Sequence, residues 1–134
     1  LLGMRTRIVG VAIASPVSVI GAMARRIARK TAALAGLDRD GAARAAARIG
    51  VEPRWLGRGY GHASPEGAAA TERAAGAGIA LDPTYTAKAF ACALERAREP
   101  GRTVLYWHTL SSAPMAPLLV GAEPLPEELA RLFQ

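Results

Sequence analysis

Cysteine, histidine and lysine are all scarce in this chain of 134 residues. Cys92 stands alone, so no intrachain disulfide can form, and its place on an alanine-rich helical face suits a small core residue rather than a nucleophile. The same scarcity favours a cytoplasmic setting. His62 and His108 are the only histidines; no cluster has the ligand count or spacing of a zinc site, and no metal is expected. Long apolar runs are missing too. Arg25, Arg26, Arg29 and Lys30 break one hydrophobic stretch and Pro114 and Pro117 another, so nothing approaches the ~18 residues of a membrane span. Leu1-Leu2-Gly3-Met4-Arg5 shows neither an initiator methionine nor a signal-peptide pattern, and reads as the continuation of a longer chain.

What is present is apolar and arginine-rich. At 51% hydrophobic residues the length suits one domain with a buried core, residues 1–134 being a single unit. A net charge of +6 raises the question of a nucleic-acid partner. Fifteen of the 17 basic residues are arginines spread along the whole chain, without a clustered stripe or interleaved aromatics, which favours a solvated surface.

Residues 7–14 (RIVGVAIA) form a short β-branched run of the kind that is buried on both faces of a parallel sheet. Ser15 and Pro16 supply a cap and a first helical residue. Val17, Ile20, Met23, Ile27, Thr31 and Leu34 then recur at helical spacing until Gly36. Asp38 or Asp40 caps a second, alanine-rich helix that Gly50 stops, with Arg44 and Arg48 on its exposed face. Residues 54–60 read as a brief strand entering a glycine loop. Ser64-Pro65-Glu66 opens a helix reaching Gly76 or Gly78, and Asp82-Pro83-Thr84 opens another over 85–98. Residues 103–107 (TVLYW) read as a strand, and 125–133 as a short terminal helix. Strands alternating with helices predict an α/β domain with a parallel sheet flanked by helices.

Ligands in such sheets bind beyond the carboxyl ends of strands. Three polar clusters fall there. In Gly57-Arg58-Gly59-Tyr60-Gly61-His62 the glycines allow close backbone approach and Tyr60 offers a phenol, although a glycine-flanked tyrosine alone is more often a turn residue. In residues 82–88 (DPTYTAK) a helix N-terminus presents backbone donors beside the hydroxyls of Tyr85 and Thr86; plain capping by Asp82 or Thr84 is the simpler reading of those residues alone. His108-Thr109-Leu110-Ser111-Ser112 suggests a Ser-His hydrolase, but no G-x-S-x-G elbow accompanies it.

Taken together and in order, GYGHASPEG at 59–67, LDPTYTAKA at 81–89 and VLYWHT at 104–109 resemble the D-cysteine desulfhydrase and 1-aminocyclopropane-1-carboxylate deaminase family. The resemblance covers 7 to about 114 and implies pyridoxal-phosphate enzymes with the tryptophan synthase β-type fold. The chain would then be the C-terminal portion of a three-layer large domain. It further implies that Tyr60 and Tyr85 reach a small amino-acid substrate, as carboxylate contacts or proton-transfer groups. Thr86 would lie near the pyridine nitrogen, with His108 and Thr109 below the ring. Threonine at both 86 and 109 matches the desulfhydrase branch, favouring β-elimination from a thiol amino acid over opening of a cyclopropane ring. Departures from the family pattern are Ala87, where glycine is usual, and Leu110 and Ser111, where a glycine pair is usual.

The family's enzymes also need a Schiff-base lysine and a glycine-rich phosphate loop. Lys30 and Lys88 are the only lysines, and both read as structural or solvated. The cofactor lysine is therefore expected outside this chain, in a full-length enzyme that the resemblance implies is a homodimer. A non-catalytic remnant or interaction domain is the competing expectation. Loss of sheet neighbours would leave apolar faces exposed and favour self-association.

Overall fold

The computed structural model describes residues 6–109 together with 126, 127 and 131. Among them the chain forms β1 (Ile8–Val11), α1 (Val17–Leu34), α2 (Arg39–Ala47), β2 (Ile49–Glu52), α3 (Pro65–Ala75) and α4 (Thr86–Arg96), with a 3-10 turn at Arg54–Leu56. The two strands pair in parallel, Ile8 opposite Ile49 and Val11 opposite Glu52, so α1 and α2 make the crossover that parallel pairing demands. No helix among the described residues is long and apolar enough to cross a membrane.

Residues of a parallel pair point to the same face, and this sorts the layers. Val51 shares a face with Gly10, and a Cβ placed on Gly21 of α1 would lie 3.5 Å from the Val51 side chain; α1 and α2 therefore cover this face. Val11 and Glu52 share the other. Val11, Phe90 and Leu94 pack on the buried cluster of Trp55, Ala70, Ala91 and Cys92, and Glu52 holds Arg96 of α4 at 3.0 Å. A second ion pair, Arg54 with Glu95, ties the 3-10 turn to α4. The sheet thus lies between α1 with α2 on one side and α4 with the Trp55 cluster on the other.

Capping follows the expected chemistry in two places: Asp38 accepts from the Gly41 amide at 2.7 Å, and Ser64 from the Gly67 amide at 3.1 Å. At α1 the structure differs, because Pro16, after a cis peptide bond, takes the cap position and Ser15 caps nothing.

Five other expectations change. The second helix ends before Gly50, which lies inside β2: the β-branched neighbours Ile49 and Val51 carry the strand, and the glycine merely sits in it. Residues 54–60 are not a strand. Pro53 has no amide to extend the ladder, and the chain turns so that Trp55, 7% exposed, enters the core. On α1 the seam is made by Val17, Ile20, Gly21, Ala24 and Ala28, leaving Met23 and Ile27 exposed; small residues admit the close approach that the larger ones would block. β1 is not buried on both faces either, since α1 lies over β2 and leaves Ile8 exposed. Residues 103–107 alternate as a strand should, with Val104 and Tyr106 inward, but have no ladder partner among the described residues. The terminal helix expected at 125–133 falls, apart from those three positions, outside the described residues.

Candidate functional site

The site is organised by one carboxylate. Asp82 Oδ1 accepts from the amides of Thr84 at 2.9 Å and Tyr85 at 2.7 Å, and Oδ2 from the Thr86 amide at 3.0 Å and the Thr86 hydroxyl at 2.6 Å. Pro83 turns the chain, and the carboxylate collects the amide donors that the start of α4 leaves without helical partners. Thr86 Oγ1 in turn accepts from the Asp82 amide at 2.7 Å, closing a ring of bonds around a side chain that is 4% exposed. Partial burial pushes the Asp82 carboxyl up, but the hydrogen bonds from Thr86, Tyr85 and Thr84 outweigh it and hold the group below its usual value.

From this turn Tyr85 projects outward and meets Tyr60, which the glycine loop brings from 25 residues away in sequence. The hydroxyls are 2.6 Å apart and the rings meet edge to face with centroids 5.8 Å apart. Both side chains are exposed. The bond to Tyr60 first, then burial and the charges of Tyr60 and Asp82, push the Tyr85 phenol up. The loop that carries Tyr60 is possible because Gly57, Gly59 and Gly61 adopt φ of 59°, 108° and 76°, where side chains are strained.

The third cluster closes on the same turn. His108 Nε2 lies 3.0 Å from the Ala80 carbonyl, which can only accept, so this nitrogen carries the proton and Nδ1 is left as the basic atom of the neutral ring. Tyr106 donates to the Thr86 carbonyl at 3.2 Å and packs on Phe90 with centroids 5.0 Å apart. Burial, then the Asp82 charge, push its phenol up. Thr109 is exposed at the end of this segment. Leu110, Ser111 and Ser112 lie outside the described residues.

The three clusters therefore converge on residues 80–86, with Tyr60 and Tyr85 in contact, Thr86 turned into the cap and His108 on the backbone beside it. One participant was not singled out by sequence, Tyr106, whose inward place in an alternating segment was a usable signal; Lys88, read there as structural or solvated, is structural and not solvated. Lys88 is fully buried on α4, with Nζ donating to the carbonyls of Leu56 at 2.9 Å and Gly59 at 3.0 Å. Ala87 is equally buried, and its methyl packs against Gly67 of α3, so it fills a helix seam rather than the site. An open groove of about 410 Å³ runs beside the turn, lined by Ala63, Gly67, Ala68, Thr71, Glu72, Leu81 and Pro83. No group of three or more histidine, cysteine or acidic residues among the described residues could hold a metal ion.

Set against protein-family models, curated proteins and solved structures, the chain matches none of them.

Proposed function

We propose that this chain forms the substrate-facing wall of a pyridoxal-phosphate lyase or deaminase acting on a small amino acid, most like D-cysteine desulfhydrase. The observation that carries the reading is the Tyr60–Tyr85 pair: two exposed phenols from separate elements, 2.6 Å apart at the start of a helix. Exposed polar side chains held this closely by a built loop and a built cap suit a ligand-facing role.

The residues present fit part of the cofactor's requirements. Thr86 can face a pyridine nitrogen only by turning its hydroxyl proton away from Asp82 Oδ2; the carboxylate would keep its three amide donors, two on Oδ1 and one on Oδ2, so its charge stays hydrogen-bonded. The attachment lysine is not met. The Lys88 amine is engaged by two carbonyls, and Lys30 lies on α1, across the sheet from α4. In this reading the lysine and phosphate loop come from residues beyond this sequence.

When bound, the cofactor supplies an electron sink for a carbanion at the substrate α-carbon. With Tyr85 Oη donating into their shared bond, the Tyr60 hydroxyl proton is free to bond a substrate carboxylate or pass to a departing thiolate; Tyr85 then replenishes Tyr60, and solvent, to which both are exposed, replenishes Tyr85. His108 and Thr109 border the same turn. Hydroxyls at Thr86 and Thr109, where a carboxylate and an apolar side chain would mark the deaminase branch, support β-elimination to pyruvate, sulfide and ammonia.

The test assays the product of the complete reading frame containing this chain for sulfide and pyruvate from D-cysteine, beside 1-aminocyclopropane-1-carboxylate. D-cysteine turnover is expected, with a loss of about 10²- to 10⁴-fold in Tyr85→Phe. Turnover of the cyclopropane substrate alone would move the protein to the deaminase branch. Turnover of neither would favour a second reading, a non-catalytic interaction domain, which the commitment of the Thr86 hydroxyl to capping already supports.

A further inference from the structure

We infer that Lys88 is a positioning residue whose ammonium clamps the Leu56 and Gly59 carbonyls and thereby holds the Tyr60 phenol on Tyr85. A cation taken wholly out of water is costly unless hydrogen bonds replace its hydration, and here the replacement comes from the loop carrying Tyr60. The Gly59 carbonyl belongs to the peptide group whose amide nitrogen is that of Tyr60. Holding it at 3.0 Å fixes the plane from which Tyr60 departs. The Leu56 carbonyl lies on the other side of Gly57 and Arg58, so the two bonds bracket the stretch where Gly57 and Gly59, lacking a Cβ and at positive φ, leave the backbone least constrained by sterics.

Lys88 stands three residues after Tyr85, in the first turn of α4. The clamp therefore refers both phenols to one rigid element: Tyr85 through the helix start, Tyr60 through the lysine. Few other bonds hold this loop; Gly59 donates to the Leu56 carbonyl at 3.1 Å, and His62 to the Gly59 carbonyl at 3.4 Å. The consequence for catalysis rests on the proposed role of the tyrosines, whereas the clamp itself can be tested without turnover.

The experiment follows the three tyrosines of the 134-residue chain individually by ¹³Cζ-tyrosine NMR across a pH titration. Tyr85 is expected to titrate above an ordinary tyrosine in the wild-type chain, and to move down in Tyr60→Phe, which removes the bond that raises it. Lys88→Met is expected to move Tyr85 in the same direction as Tyr60→Phe, and Lys88→Arg, which keeps charge and donors, to retain more of the wild-type value. A Lys88→Met chain with the wild-type far-ultraviolet circular dichroism and an unmoved Tyr85 titration would overturn the inference, as would Lys88→Arg shifting Tyr85 further than Lys88→Met. Reductive methylation of the native wild-type chain decides the matter even if Lys88→Met does not fold. Lys30 is expected to react and Lys88 to resist until denaturant is added; equal rates would overturn the clamp. Loss of D-cysteine activity with an intact clamp would count against the proposed function alone.

Discussion

Replacing Asp82 by alanine removes the acceptor of three backbone amides and one hydroxyl in a single step. Loss of a side-chain cap costs about 1 kcal/mol, up to about 2 in the best-built cases, and three amides on one carboxylate make this a well-built one. The Thr86 hydroxyl, 4% exposed, would also lose its acceptor, although the Asp82 carbonyl at 3.4 Å offers a poorer substitute that trims the cost. The sum is about 2 kcal/mol, and for a domain of this size each kcal/mol lowers the melting temperature by roughly 3–5 °C. Asp82→Asn keeps one acceptor and loses the charge at the helix start, for about 0.5–1 kcal/mol. The pH dependence has a definite sign. Asp82 is held below its unfolded value of about 3.9, so its stabilisation is complete above that value and disappears as pH falls through the lowered native one. Thermal melts followed by circular dichroism at pH 7 and near pH 2–3 are the assay. The destabilisation of Asp82→Ala should be plain at pH 7 and should shrink in acid. A mutant melting within a degree of the wild-type chain at pH 7, or showing the same deficit at both pH values, would refute the argument.

Gly59→Ala should lower the stability read from urea unfolding by about 1–3 kcal/mol; its φ of 108° strains a side chain although no atom stands within 4 Å of the added methyl. Trp55→Ala should cost about 3–5 kcal/mol in the same measurement, because Trp55 joins Ala70, Ala91 and Cys92 in the buried cluster behind the site. Cys92, buried in that cluster, should react with Ellman's reagent only after denaturant is added; rapid reaction of the native chain would contradict the packing.

Local chemistry was legible wherever the decisive partners lie within four residues. Asp38 and Ser64 act as caps because each meets an amide three positions ahead, Asp82 holds the turn leading into α4 through the amides of Thr84, Tyr85 and Thr86, and the 3.6-residue period placed α1, α3 and α4 to within a few residues at each end. Where the outcome turned on what lies across space, the same cues misled. Gly50 has the look of a helix stop and is a strand residue, because the pairing of Gly50 with Val9 is decided 41 positions away. Met23 and Ile27 look like a core stripe and are exposed, because the small face of α1 is the one that can approach Val51. Residues 103–107 keep the alternation of a strand, yet alternation specifies only a face and not a partner.

By itself, then, the sequence determined the parallel α/β character, the capped start of α4 and the three polar clusters, since these follow from residue types at short range. Tertiary structure alone decided that Tyr60 touches Tyr85, that the Thr86 hydroxyl turns inward to Asp82, and that Lys88 is buried under the loop. Each depends on backbone atoms tens of residues apart or on competition for one carboxylate. A spacing rule carries no information about such contacts, because they are settled only when the loop glycines, the Asp82 turn and the α4 helix share the same few ångströms.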